Sequence, residues 1–402
     1  MARQMKDSGV EWIGDIPEEW SLCKLRNHVV EIKEKNTPIK TTRVLSLTNK
    51  LGVVPYEDKG NQGNKAKEKF DDYHIAYEGT IVANSMNILI GSVGLSQYYG
   101  CVSPVYYVYR NIETSDIAYI NYIFQNEGFQ KELRKYANGI MEIRLRVSSF
   151  DILGRTVPNP PLSVQKLIAN ALDTKCAEID KVVEQTRATI EEYKKLKQAI
   201  ITEAVTKGVR GSRPMKPSGV EWIGDIPEEW KLQKAKYNID VSHGCDPKTE
   251  GDVPVYGSGA SSFRTCGEFK EGPTVLIGRK GATLHIPHFI TGRYWNVDTA
   301  FDVKTDANKF SLRLYYYLAT AFDYKYYISQ TTLPGMTQSN YLQMKIPVPP
   351  VEEQQEIAAY LDTKCAEIDR IIEKKEQLIE ELGSYKKSLI YEYVTGKKEV
   401  TA

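Results

Sequence analysis

Four groupings in this 402-residue chain hold residue types able to do covalent or metal chemistry, and each lacks a necessary member. Asn159-Pro160-Pro161-Leu162 approaches the Asn-Pro-Pro-aromatic sequence that holds a flipped adenine for methyl transfer, but the aromatic is missing. The corresponding letters later in the chain are Val348-Pro349-Pro350-Val351, which lack the asparagine as well. His243, Cys245, Cys266, His285 and His288 are metal-ligand types at spacings that match no zinc finger or ribbon. Gly278-Arg279-Lys280-Gly281 lacks the Gly-Lys-Ser/Thr that would cradle a phosphate, and Glu31-Ile32-Lys33 lacks a partner aspartate for a nuclease site. No Gly-rich loop after a strand offers a pocket for adenosylmethionine. The polar residues are therefore expected to bind rather than to catalyse, with no metal and no cofactor of their own.

A duplication positions them. SGVEWIGDIPEEW occupies residues 8–20 and returns at 218–230, an offset of 210. LDTKCAEID occupies 172–180 and returns at 361–369, an offset of 189. The second offset also carries Pro160-Pro161 onto Pro349-Pro350, and Glu203, Val205 and Thr206 onto Glu392, Val394 and Thr395. Each half thus opens on the same thirteen residues, continues through a variable block, breaks at Pro-Pro and closes on a long charged segment. All the difference in length lies in the blocks. The boundaries read as 1–160 (opening repeat and first block), 161–210 (first helix), 211–350 (second repeat and block) and 351–402 (second helix).

The closing segments have helical period. Leu172, Cys176, Ile179, Val183, Thr186, Ile190, Tyr193 and, past an off-phase Lys197 beside Leu196, Ile200 follow steps of four and three, as do Ile357, Leu361, Cys365, Ile368, Ile372, Lys375, Ile379, Leu382 and, seven residues on, Leu389. Ser163 is the expected N-cap of the first helix, and Gly208 and Gly396 are the expected stops. A helix from about Val164 to Val205 is roughly 60 Å long. Neither helix can bury its seam alone, so the two are expected to pair, with Ile179 and Ile368 in the seam. Antiparallel pairing would put the blocks at opposite ends. Compact apolar runs bounded by Gly, Pro and Asn, such as Gly79–Ala83, Pro104–Tyr109 and Pro273–Ile277, predict β-rich blocks. Helical stretches follow at 116–136 and 311–327, making each block α+β. The tyrosines of the second stretch are expected to pack rather than to stack on bases. Trp12, Trp20, Trp222 and Trp230 recur with the frame, and either anchor the opening segment or face a partner subunit.

Composition narrows the class. Hydrophobic residues make up 41%, enough for real cores, and six cysteines are too few for a disulfide scaffold. No run approaches about 18 apolar residues and the start lacks a secretory segment, so a cytoplasmic protein with no membrane association is expected. Net charge is +1, but residues 21–160 and 231–350 each carry +4, whereas 351–402 carry −4. Nucleic acid is the expected partner of the basic blocks, and protein of the rest.

The order of SGVEWIGDIPEEW, variable block, Pro-Pro and long helix, stated twice, resembles the specificity subunit of type I restriction-modification enzymes. Within the blocks, Ala83-Asn84-Ser85-Met86-Asn87 with Gly91-Ser92-Val93-Gly94 and Val102-Ser103-Pro104 is similar to one class of target-recognition domain. Pro254–Gly259, Ile277–Gly281 and Leu333–Gln338 are similar to another. The resemblance implies an α+β fold: two globular α/β-mixed target-recognition domains separated by two long helices in an antiparallel coiled coil, a pseudo-two-fold tandem repeat. It implies a non-catalytic reader of double-stranded DNA that docks methyltransferase subunits and, through the complex, restriction endonuclease subunits. S-adenosylmethionine, ATP and Mg would then belong to those partners.

Two different readers on one frame predict a bipartite, asymmetric target whose spacing the helices set. Arginine on guanine and Asn or Gln on adenine are the usual base pairings. The candidates are Asn84, Ser85 and Asn87, Arg144 and Arg146, Arg279-Lys280, Arg293 and Gln338, with Lys50 a further cation. The alternative from another class is a coiled-coil scaffold with two protein-binding modules. Salt separates the two, because phosphate contacts weaken steeply as salt rises.

Overall fold

The computed structural model describes residues 3–48, 52–60, 69–139, 145–259, 261–281, 283–324, 327–328 and 335–400. Its α-helices are α1 (Ile117–Gln125), α2 (Glu127–Arg134), α3 (Ser149–Leu153), α4 (Leu162–Lys207), α5 (Leu312–Ala321), α6 (Gln338–Gln343) and α7 (Val351–Val394). The two periodic segments are thus single helices of 46 and 44 residues. Each starts directly after its Pro-Pro pair, because proline fixes φ for a first turn and needs no donor. The amides of Val164 and Gln165 bond to the Pro161 carbonyl, and that of Gln354 to Pro350. Ser163 therefore lies inside the first turn and is not the cap. Both helices stop at a glycine with positive φ, Gly208 at 79° and Gly396 at 76°.

The residues group into two units, 1–185 with 378–402, and 186–377. The divisions fall inside α4 and α7, so each long helix contributes a stretch to both units. In the first unit Lys386 of α7 donates to Asp180 of α4 at 2.7 Å. Ile168, Leu172, Cys176 and Ile179 join Leu389, Ile390 and Val394 in its core. In the second unit Lys375 lies over Tyr193, Lys197 meets Asp369 and Arg210 meets Glu356. One chain number rises as the other falls, so the helix segments run antiparallel there, with Ile201, Ala204 and Val205 beside Ile357, Leu361 and Cys365 in one core. Ile368 is buried at 6% exposure.

Both blocks share a four-stranded antiparallel sheet of the same order. In the first it runs Val29–Ile32, Tyr106–Asn111, Ile81–Asn84, Val93–Leu95. The second has Ile239–His243, Ala300–Thr305, Thr274–Gly278, His288–Ile290. Tyr109 faces Glu31 and Ile81, and Val303 faces Val241 and Val275, so the registers match. The second block adds another sheet, Arg264–Cys266, Val253–Tyr256, Arg293–Asn296 and Lys270–Glu271, and the first adds two hairpin-like pairs instead. Tyr315 and Tyr317 of α5 are buried, as packing of that helix requires, and so is Tyr324 just past its end.

The opening repeats are small hairpins that sit on helix ends. Gly9 and Gly14 have φ of 67° and 64°, and Gly219 and Gly224 repeat these values at 67° and 65°. Trp20 lies against the end of α7: a Cβ on Gly396 would come within 2.9 Å of its ring and 2.6 Å of Pro17. Trp230 lies against the end of α4, where a Cβ on Gly208 would come within 3.1 Å of its ring. Trp12 packs edge-on to Phe129 at 5.3 Å, and Trp222 to Phe322 at 5.6 Å. Trp12, Trp20 and Trp230 are buried in their own units, and Trp222 is partly buried.

His28 is 1% exposed, between Ser115 Oγ at 2.7 Å and Cys23 Sγ at 3.1 Å. Burial pushes its pKa down to about 4 and that of Cys23 up to about 11. The folded chain holds this imidazole neutral, whereas the unfolded chain protonates it near pH 6.5. His28 therefore destabilises the first unit progressively as pH falls from 6.5 to about 4, by at most about 3 kcal/mol, and adds no further slope below. Urea titrations at about pH 7 and about pH 4.5 should show a smaller pH loss for His28→Gln than for the unmodified chain. An equal loss would exclude this histidine as the source.

Candidate functional site

In each unit the same structural position gathers the nominated residues: the turn after the third strand of the shared sheet, and the segment leading into a short capped helix. In the first unit that turn is Asn84-Ser85-Met86-Asn87, and the Val147 amide bonds to the Ser85 carbonyl. In the second it is Gly278-Arg279-Lys280-Gly281, and the Met336 amide bonds to the Arg279 carbonyl. Val147 and Met336 are 189 apart, the offset of the closing repeats. Ser148 caps α3 through the Asp151 amide, and Thr337 caps α6 through that of Asn340. One scaffold thus presents Ser-Met in one copy and Arg-Lys in the other.

The side chains divide by what holds them. Asn84 and Ser85 are buried, and Asn84 Oδ1 accepts from the Met86 amide, so they build the turn, while Asn87 is exposed at its edge. Arg146 is exposed and touches Met86 Sδ at 3.7 Å through Nη2. Arg144 and Lys50 lie outside the described residues. Arg279 reaches the Asp298 carbonyl at 3.2 Å and lies 6.0 Å from the Phe301 ring centre, and Lys280 is exposed beside it. Gln338 donates Nε2 to the Val241 carbonyl, leaving its amide oxygen as an acceptor. Arg293 stands apart on the additional sheet, paired with Glu271 at 3.2 Å and stacked over Phe269 at 4.4 Å. Arg146 with the first turn, and Arg279, Lys280 and Gln338 with the second, are therefore brought together; Arg293 is not.

Several supporting groups were not legible beforehand. Tyr109 donates to Ser149 Oγ at 3.1 Å, and Ser149 donates to Glu31 Oε2 at 2.7 Å. This chain ties α3 to an edge strand beneath Arg146 and consumes the carboxylate that the sequence offered as a nuclease fragment. Phe150, next along α3, is 79% exposed. In the second unit Asp302 is 2% exposed and accepts from Tyr294 at 2.8 Å, with Lys270 at 3.2 Å and Thr274 also in contact. Burial and that carboxylate keep the Tyr294 phenol protonated. Among the described residues no three His, Cys, Asp or Glu side chains converge as a metal set would. His243 packs edge-on to Phe301 at 5.0 Å, Cys266 is buried, and His288 meets the Gly259 carbonyl at 2.6 Å. No helix is long and apolar enough to cross a membrane among the described residues.

Comparison with known proteins adds family information to this geometry. A family model described as the type I restriction modification DNA specificity domain matches residues 233–381. The type I restriction enzyme MjaVIII specificity subunit of Methanocaldococcus jannaschii is 23% identical, over 96% of this chain and 94% of the relative. A putative MjaX specificity subunit of the same organism is 23% identical over 96% of both. Among solved structures, a chain from a type I restriction-modification assembly superposes with a TM-score of 0.75 at 14% identity, covering 95% of this chain and 99% of that one. The HsdS subunit of Thermoanaerobacter tengcongensis gives 0.55 at 14% identity, covering 95% and 98%.

The split between exposed and tied side chains has a measurable consequence. Arg146→Ala removes no structural bond beyond the Met86 contact and should leave urea unfolding unchanged within about 0.5 kcal/mol. Ser149→Ala leaves Tyr109 and Glu31 without their shared partner and should cost about 1–3 kcal/mol. Equal stabilities for the two variants would contradict this assignment.

Proposed function

The chain belongs to the specificity subunits of type I restriction-modification systems, and from that membership we propose how its two units share the task. It is the non-catalytic subunit that recognises DNA sequence for the complex, and it assembles with methyltransferase and restriction subunits. We assign one half of a divided, asymmetric target to each unit. The observation that supports this most directly is the equivalence of the two turns: one backbone arrangement carries different side chains, as two readers of different sequences require. Arg146, Asn87 and the first turn would read one half-site, and Arg279, Lys280 and Gln338 the other. Arg279 and Arg146 suit guanine, and the free amide oxygen of Gln338 suits an exocyclic amine. Arg293, away from the turn, suits a phosphate. The domains are proposed as 1–160 and 211–350, with 161–210 and 351–402 as spacer helices. No cofactor is assigned to this subunit; S-adenosylmethionine, ATP and Mg are assigned to its partners, and the complex to the cytoplasm.

The test is assembly with the methyltransferase subunit followed by sequencing of the methylated adenines. Arg146→Ala should relax one half-site only and Arg279→Ala the other only, each losing about 1–3 kcal/mol where the contact is bidentate. Uniform weakening on specific and unrelated DNA would reassign either arginine to phosphate. A salt-independent interaction with DNA would favour the protein-binding scaffold instead.

The helices yield a second expectation. Four residues inserted into both long helices, after Gln185 and after Gln377, leave the pairs Asp180–Lys386 and Lys197–Asp369 within their own units. The insertion adds about 6 Å and close to one turn to each helix. At about 3.4 Å per base pair, the same half-sites should be methylated with a spacer longer by one or two base pairs. An unchanged spacer would show that helix length does not set the distance.

A further inference from the structure

The two units repeat one set of contacts around α1 and α5, with one exception. Gln165 accepts from the Asp116 amide at 2.9 Å, and Gln354 from the Ser311 amide at 2.7 Å. Tyr122 donates to Asp173 at 2.7 Å, and Tyr317 to Asp362 at 2.6 Å. Lys386 pairs with Asp180, and Lys197 with Asp369. The exception is Arg313. Its guanidinium meets Asp362 at 2.6 Å and lies 4.5 Å from the ring centre of Phe289 and 5.0 Å from that of Tyr316. Counting from the paired tyrosines, Ala118 stands where Arg313 is and Asn121 where Tyr316 is. By strand register Leu95 stands where Phe289 is.

The first unit therefore has a cleft of 880 Å³ where the second has a stacked arginine. Leu95, Ala118, Asn121, Tyr122, Gln130 and Asp173 line it. Asp173 keeps its tyrosine but has no cation among the described residues, and Asn121 Oδ1 is buried without a donor. The lysines at the rim are committed elsewhere, Lys386 to Asp180 at 2.7 Å and Lys387 to Glu127 at 2.6 Å. Nor does a lysine there exclude a guanidinium, because Lys197 holds the same place beside Arg313. A carboxylate and an unpaired carbonyl oxygen repel phosphate and accept from a planar fork of N–H donors.

We propose that this cleft receives an arginine side chain of the methyltransferase subunit, which takes the place that Arg313 fills from within the chain in the second unit. The occupant rests on the docking proposed above. The methyltransferase is favoured over DNA because the acceptors that would hold the cation, Asp173 and Asn121, lie on α4 and α1 with Lys386 of α7 at the rim, while the side that continues from the reading turn, residues 89–91 and Val93–Leu95, lines the cleft with apolar residues. The two halves of the frame would then dock differently: the first is completed by its partner, and the second is complete before docking.

The experiment uses the full chain and the purified methyltransferase subunit, with affinity measured by calorimetry and folding by thermal melting. Ala118→Arg supplies the missing group in cis. Its melting temperature should equal or exceed that of the unmodified chain, and its affinity for the methyltransferase should fall at least about tenfold. Asp173→Asn removes the charge with little change of shape, and should lower affinity to a similar extent with the melt retained; it carries the test should Ala118→Arg fold poorly. Unchanged affinity in both folded variants overturns the cleft as a docking site while leaving DNA reading intact. Failure of the unmodified chain to bind the methyltransferase overturns the docking reading and this occupant together. Weakened capture of the restriction subunit alone, with methyltransferase affinity intact, also overturns the proposal.

Discussion

The contact between a tryptophan and a helix-ending glycine governs the rest of this structure. Each long helix must stop where its last carbonyls can be satisfied, and a left-handed glycine does this with no steric penalty. The same absence of a side chain lets an indole reach the backbone: a Cβ on Gly396 would come within 2.9 Å of Trp20. Tyr391 and Lys397 then reach the Ile13 carbonyl at 3.1 and 2.6 Å, tying the first opening repeat to the final residues of the chain. The thirteen letters are repeated because two helix ends need the same seat.

Fixing the helix ends leaves the blocks free to vary. One joint to the frame recurs: a buried glutamine five residues past the first proline of each pair bonds back to that proline's carbonyl, at 2.9 Å in both copies. It also accepts from the first turn of α1 or α5. The added sheet of the second block has a small core of its own with no residue of the long helices, so it can change without disturbing them. The chemistry that differs most, Ser85-Met86 against Arg279-Lys280, sits on one of the most conserved pieces of backbone geometry shared by the two units.

The sequence showed the repeats, the long helices and their glycine stops, because those features are local in letters and period. Asn84-Ser85-Met86-Asn87 and Arg279-Lys280 stand out through their resemblance to target-recognition motifs, and the two stretches occupy equivalent turns of the shared sheet. The sequence could not show that Asn84 is spent on its own turn, which depends on the Met86 amide folding back. Ser163 looked like a cap, but the two prolines before it start the helix earlier. Arg293 read as equal to Arg279, because strand alternation gives exposure and not which sheet a strand joins. The chain from Tyr109 through Ser149 to Glu31 spans residues far apart in number, and nothing periodic marks it.

Identical letters also acquire different electrostatics. Trp230 donates Nε1 to Glu353 at 2.9 Å, and Glu353, fully buried, is paired with Arg213, which also holds Glu229 at 2.9 Å. The residue 189 before Glu353 is Val164, so Trp20 has the same surroundings without a carboxylate, and its Nε1 is buried with no acceptor. A buried carboxylate stays ionised only where partners offset its lost hydration, and removing one partner from such a pair typically costs about 3–5 kcal/mol. The second seat thus has a buried carboxylate in a charge network that cannot lose a member cheaply, whereas the first keeps the arginine, Arg3 over the Trp20 ring at 5.3 Å and paired with Glu19, but no buried carboxylate, and tolerates one unmet donor. The same division separates Arg313 from Ala118: the second unit pairs Asp362 and Glu353 with its own arginines, whereas the first leaves Asp173 without a cation among the described residues and Asn121 Oδ1 without a donor. A chain built by duplication keeps its packing through the repeats, and its two copies diverge first where one substitution adds or removes a charge.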